Sequence, residues 1–328
     1  MKFLALFLAL FTVHASAGDP KKMKIGFVLG TLQEERYQKD QKAFTDEAKK
    51  LGFEPVVVAA DNNENIQTSK VENLLSMGVK ALVIQAVNSD AAAALVKVAH
   101  DDKVPVVAYD RLINNAPVDF FITVDAFEIG KIQAEEAVKA TKGKGNYVIL
   151  MGQAGQSATN EITKGVTSVL DKYPDIKVVV KQTHEGWSPQ LAMATTENAL
   201  TQHKDKIDAI LANNSGMAQG AVRALKAQGL TGKVFVAGSD ADLANIKSLV
   251  AGEQQLEILK EIGPFAAAAA KIAYQLAKGE KPKSNLTVKS GAHDVPTLQM
   301  PVYPVTKANL EERVFKTGFH TKKAVYGK

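Results

Sequence analysis

The chain has 328 residues, 46% hydrophobic and 23% charged, with 23 Gly, 11 Pro and no Cys. That composition excludes collagen-like, disordered and disulfide-stapled classes. Its formal charge of +5, from 40 Lys and Arg against 35 Asp and Glu, is scattered and forms no basic stripe for a nucleic acid.

The chain opens with an export signal. Lys2 precedes the apolar run Phe3 to Val13, and Ala15-Ser16-Ala17 has the small-x-small pattern of a cleavage site. Cleavage is expected after Ala17, which makes the mature protein exported and soluble. The run falls short of the ~20 apolar residues of a membrane span, and no Cys follows to carry a lipid.

Short apolar runs then alternate with amphipathic stretches. MKIGFVLG (23–30), PVVVAA (55–60), ALVIQAV (81–87) and VPVVAYD (104–110) read as buried parallel strands. Between the first two, Gln38 to Leu51 reads as a helix with Phe44, Ala48 and Leu51 on one face and Gly52 as its stop. A second series follows with YVILMG (147–152), IKVVVKQ (176–182), AILANN (209–214), KVFVAGSD (233–240) and QLEILK (255–260). At roughly 100–200 residues per domain, these series predict an α/β protein of two doubly wound, Rossmann-like lobes with a ligand cleft between them. The first crossing is placed near DFFITVDAF (119–127). The helix-like Gly263 to Lys278 packs back on the first lobe, and the strand-like Val295 to Thr306 supplies a further crossing. The expected division is 18–125 with about 263–293 for the first lobe, and 126–262 with about 294–328 for the second.

Ligands of open α/β sheets sit beyond the carboxyl ends of the strands, and there the polar residues gather. Arg36, Tyr37 and Lys39 follow the first strand, Asp110-Arg111 the fourth, and Asn213-Asn214, Asp240 and Lys260 the later ones. Trp187, the only Trp, lies in the loop HEGWSP (184–189). Taken singly each has a plain structural reading: a solvated helix face, a local ion pair worth ~0–1 kcal/mol, a turn, a cap, or the edge of a core. Their common position at strand ends favours a polyhydroxylated ligand, whose hydroxyls both donate and accept and whose C–H face packs on an aromatic ring.

Catalytic readings fare worse. There is no Cys nucleophile, no G-x-S-x-G, no dinucleotide or P-loop glycine motif, and no His pair at metal-ligand spacing. No cofactor or metal is expected.

The ordered segments ERYQKD (35–40), AYDRLIN (108–114), EGWSP (185–189), ENALTQHKDKIDAILANN (197–214), RALKAQGLTGKV (223–234) and GSDADLANIK (238–247) make the whole mature chain resemble the periplasmic sugar-binding proteins of bacterial ABC importers. The resemblance implies two lobes joined by three crossings (the type I architecture) that close without turnover on one monosaccharide, D-xylose foremost. The closed form is then presented to an inner-membrane permease, with a chemoreceptor as a second reader and a monomer as the expected state. Carried over position by position, ligand contacts fall on Arg36, Lys39, Asp110, Arg111, Asn214, Asp240 and Lys260, with Trp187 stacking. Tyr37 stands where xylose-binding members usually have Trp, and Asn214-Ser215 replaces a usual Asn-Asp. In the divergent segment Met151 to Gly165 the contact is placed on Asn160, with Ser157 and Thr159 as competitors. Other readings are another aldose or an autoinducer-like ligand on the same fold, and an exported sugar-modifying enzyme using Asp110 and Asp240 as acid and base. A LacI-like regulator would need a helix-turn-helix of ~60 residues ahead of the first strand, where only the export signal stands.

Overall fold

The computed structural model describes residues 22–204 and 206–327; the export signal expected over residues 1–17 lies outside them. The first series runs β1 (Lys24–Leu29), α1 (Glu35–Leu51), β2 (Glu54–Ala59), α2 (Glu64–Ser76), β3 (Leu82–Ile84), α3 (Ala93–Asp101), β4 (Val106–Tyr109) and β5 (Phe120–Val124). The second runs α4 (Ala126–Thr141), β6 (Gly145–Met151), α5 (Ser157–Leu170), β7 (Ile176–Thr183), α6 (Pro189–Gln202), β8 (Ala209–Ala212), α7 (Ser215–Ala227), β9 (Phe235–Ser239), α8 (Leu243–Ala251) and β10 (Leu256–Lys260). The chain finishes with α9 (Ile262–Ala277), β11 (Leu286–Ser290), β12 (His293–Met300), β13 (Val302–Val305) and α10 (Lys322–Tyr326).

Two sheets result, seven-stranded in the order β11-β12-β5-β4-β3-β1-β2 and six-stranded in the order β13-β10-β9-β8-β6-β7. Within each, the first five strands of the series pair in parallel as 2-1-3-4-5, the doubly wound order whose switch point favours ligands. Their interior strands are continuous apolar runs because helices cover both faces. In the first sheet Phe27 meets Phe44 of α1 with ring centroids 4.5 Å apart and Tyr109 at 5.0 Å. In the second lobe, Gly130 and Gly165 let α4 and α5 cross so closely that a Cβ on either would strike the other helix's backbone.

Helix starts follow local chemistry. The side chains of Asn63, Asp125, Ser188 and Asn214 each accept a backbone N–H of the helix they open. The first helix differs from expectation: it begins at Glu35, three residues before Gln38, so Arg36 and Tyr37 occupy its first turn and are buried.

The lobes are linked at Asp125, at Glu261 and at Pro301, and the first and third links are tied by Asp125 N donating to Met300 O at 3.3 Å. Helix α9 leaves the second sheet and packs on α1 and β4, stacking Tyr274 on Phe53 at 5.8 Å. One boundary needs correction. The segment from 294 onward does not all join the second lobe: β12 pairs in parallel with β5 of the first sheet, and only from Val302 does β13 pair antiparallel with β10. Pro301, which has no N–H for a ladder, separates the two. Among the described residues no helix is long and apolar enough to cross a membrane.

Candidate ligand-binding site

The carboxyl ends of both sheets face each other, and the loops that follow the strands meet there. Arg36 and Tyr37 come from the start of α1, Asp110 and Arg111 from the end of β4, and Trp187 from the turn after β7. Asn214 caps α7, Asp240 follows β9 and Lys260 ends β10. These eight side chains, with Glu34, Ala158 and Ile162, line one enclosed cavity. Its volume is only about 10 Å³, roughly the room one water needs, so this closed arrangement has no space for a larger ligand.

The backbone is bent to bring these groups inward. Asp110, Trp187 and Asp240 have φ of 65°, 54° and 113°, conformations that cost a non-glycine residue on the order of 1–3 kcal/mol and cluster at functional sites. Gly152, beneath the indole, has no room for a Cβ, which would overlap the Trp187 ring. Trp187 is 6% exposed, and its Nε1 donates to Gln156 Oε1 at 2.7 Å.

A charge network spans the lobes. Arg36 Nη2 lies 2.8 Å from Asp110 Oδ1, its Nε 3.4 Å from Asp40 Oδ2, and its Nη1 3.7 Å from Asp240 Oδ1 across the cleft. Lys260 Nζ sits 2.8 Å from the same Asp240 oxygen. Arg111 donates through Nη1 to Ala86 O at 2.9 Å and through Nη2 to Tyr37 Oη at 3.0 Å. Burial alone would raise the Asp110 carboxyl, but Arg36, Lys260 and Arg111 hold it near pKa 2. Burial raises Asp40 to about 6 against the pull of Arg36 and of the Tyr109 hydroxyl, which donates to it. Glu34 is raised to about 7, first by burial and then by Asp240.

The network is not self-sufficient. Glu34 Oε1 and Arg111 Nε are buried without a hydrogen-bond partner, and Arg36 Nη2 and Asp240 Oδ1 touch their ionic partners without hydrogen-bond alignment. Each unmade buried hydrogen bond costs about 1–3 kcal/mol, and hydroxyl groups are suited to make them all. The lobes also bind each other directly: Asn214 Nδ2 donates to Glu34 Oε2 at 3.1 Å, Leu243 N to Glu35 Oε2 at 3.0 Å, and Gln156 Nε2 to Val87 O at 3.0 Å.

Two residues expected at the site lie elsewhere. Lys39 does not line the cavity: its side chain is 30% exposed, and its Nζ is buried beside it, 2.8 Å from Glu35 and 4.4 Å from the Phe319 ring centre. Asn160 is exposed on α5 and borders an open groove of about 720 Å³ that adjoins the cleft, shares Asp110 and Ala158 with it, and also takes in Phe127, Lys164 and Lys289. Ala158 and Ile162 occupy the cleft in its place. Of the competitors, Ser157 bridges the lobes by accepting Leu112 N at 2.8 Å, and Thr159 donates to Gln153 O at 2.9 Å. The groove is larger but lacks the convergent buried charges, which single out the enclosed cleft. The sequence reading names neither Glu34 nor Gln156, nor Gln85, whose Nε2 donates to Asp110 Oδ2 at 3.4 Å, although Glu34 belongs to the segment that follows the first strand.

A family model described as "Periplasmic binding protein domain" matches residues 25–281. The chain is 40% identical over 307 residues to the D-xylose-binding periplasmic protein of Escherichia coli (strain K12), covering 93% of each. It is 38% identical over 318 residues to the protein of the same description from Haemophilus influenzae, covering 96% of each. A carbohydrate transporter solute binding protein from Chloroflexus aurantiacus, solved in complex with D-glucose, superposes with a TM-score of 0.86 at 26% identity, covering 92% of this chain and 98% of that one.

Proposed function

The chain belongs to the periplasmic binding protein family, as a sugar-binding component of ABC import, and on that premise we propose that its cleft selects D-xylose among monosaccharides. It is a transport protein and not an enzyme, and it captures a monosaccharide for delivery to an ABC permease. The observation that carries the ligand reading is the set of buried, under-satisfied charged groups contributed by both lobes around one cavity.

In the proposed cycle the lobes swing apart about the links at Asp125, Glu261 and Pro301, and a sugar enters. Asp110 and Asp240 accept from its hydroxyls, Arg36, Arg111, Lys260 and Asn214 donate to them, and the Trp187 ring covers its C–H face. Because these contacts form on both lobes only when they meet, the sugar shifts the population toward closure, and the permease reads the joint surface. The same reading includes cleavage after Ala17, a monomer in the periplasm, and a chemoreceptor as a second reader of the closed form.

Titration calorimetry of refolded chain starting at residue 18 tests this against D-xylose, D-ribose, L-arabinose, D-glucose and D-galactose. Tight one-to-one binding with D-xylose first is expected. Preference for another sugar overturns the xylose assignment, and binding of none overturns the cleft as a monosaccharide site.

A further inference from the structure

The cleft holds one carboxyl that the charge network does not call for. Glu34 precedes α1, and its Oε2 accepts from Asn214 of the opposite lobe while Oε1 is buried in the cavity wall with no partner. Arg36, Lys260 and Arg111 already serve Asp110 and Asp240, and among the described residues no cation forms an ion pair with Glu34. A carboxylate closed into such a place without a counter-charge is costly, whereas a neutral carboxyl can donate from one oxygen and accept at the other.

We propose that Glu34 is a ligand-contacting, specificity-determining residue that closes over the sugar in its protonated form, so that sugar capture draws a proton into the cleft. The inference rests on the monosaccharide reading and adds to it a named group and a measurable proton.

The groups facing Glu34 come from every wall of the cavity: Arg36 and Tyr37 on α1, Asp110 and Arg111 after β4, Asn214 before α7, Asp240 after β9, and Lys260 on β10. Ala158, Ile162 and Trp187 add no charge. With the lobes apart the carboxyl is hydrated and titrates near its ordinary 4.5. With them shut, burial and then Asp240 push it to about 7, against Arg111 and Arg36. Closure is therefore helped most below pH 4.5, loses that help as pH rises toward 7, and changes little above. Asp242 is a second acid raised at the interface, to about 8, by burial, Asp240 and Glu35, so total uptake exceeds the share of Glu34. Asp40 and Glu257 are also raised, but their partners Tyr109, Ser215 and Gln254 lie in their own lobes, and parting the lobes leaves those contacts intact.

The test is calorimetry at pH 6 and at pH 8.5 in buffers of different ionisation enthalpy, with D-xylose and the other four sugars, on wild type, Glu34→Gln and Glu34→Leu. At pH 6 the wild type is expected to take up measurably more protons per sugar bound than Glu34→Gln, and at pH 8.5 the difference closes. Glu34→Leu, which can neither donate nor accept, is expected to weaken the best sugar about tenfold or more and to reorder the five affinities. Equal proton counts in wild type and Glu34→Gln, or an unchanged order in Glu34→Leu, overturn the role of Glu34 while sugar binding itself stands. Failure of the wild type to bind any of the sugars overturns the monosaccharide reading and this inference with it.

Discussion

Replacing Asp240 with Asn tests whether the charge network works for closure or merely for folding. Asp240 Oδ1 is the shared partner of Lys260 at 2.8 Å and of Arg36 at 3.7 Å, and the Lys260 side chain is 8% exposed. Asn fits the same space but leaves that ammonium buried without its counter-charge, and breaking a buried pair in this way costs about 3–5 kcal/mol. Part is returned, because Asp240 is also one of the charges that disfavour ionised Glu34. The cost falls on the closed form alone, since open lobes hydrate Lys260. The lower bound of about 3 kcal/mol corresponds to roughly 150-fold in affinity, so with the Glu34 relief Kd should rise about 100-fold. Calorimetry with the best-bound sugar reads the affinity and thermal melting of the free protein reads the fold. A Kd within about threefold of wild type refutes the reasoning, and a collapse of melting temperature with unchanged affinity assigns the network to folding instead.

Three further outcomes follow from single residues. Gly152→Ala forces the Trp187 ring away from its seat and from Gln156; the emission of this sole Trp should shift red and sugar affinity fall about tenfold or more, and unaltered emission contradicts the packing. Asn160→Ala, outside the cleft, should leave affinity within about twofold, whereas a tenfold loss would return Asn160 to the site. Glu257 is buried among Ser215, Gln254 and Ala241 N, and burial raises it to about 7. Its contribution to stability is complete below the ordinary 4.5 and is lost as pH rises through 7, on the order of 3 kcal/mol in all. Urea unfolding of Glu257→Gln at pH 5 and pH 8 should show a smaller difference than wild type, and an identical difference would contradict that assignment.

The two-lobed fold was legible because every buried strand is a short apolar run and the site lies where those runs end. Strand position gathered Asp110, Arg111, Asn213, Asn214, Asp240 and Lys260 as candidates, and the family resemblance chose Asn214 between the two amides. What escaped depended on phase and partner choice. Helix α5 begins at Ser157, so positions 158 and 162, one turn apart, face the cleft, while Asn160 is turned about 200° from the first of them. Without the helix start, its phase was unreadable. The late start assigned to α1 likewise hid Glu34, which sits at the cap of the true helix. The run Val295 to Thr306 reads as strand on either side of Pro301, and only pairing with β5 or β10 decides the sheet. Lys39 sits three residues after Arg36, but Glu35 and the Phe319 ring hold its ammonium outside the cavity lining.

The most direct measurement is a crystal structure of the chain grown with D-xylose. The account predicts one sugar between the lobes, its ring against Trp187 and its hydroxyls within hydrogen-bond distance of Asp110, Arg111 and Asp240, in a cavity wider than the present 10 Å³. A sugar seated instead in the open groove beside Asn160 and Lys164, with the enclosed cleft still filled by its own side chains, would contradict it.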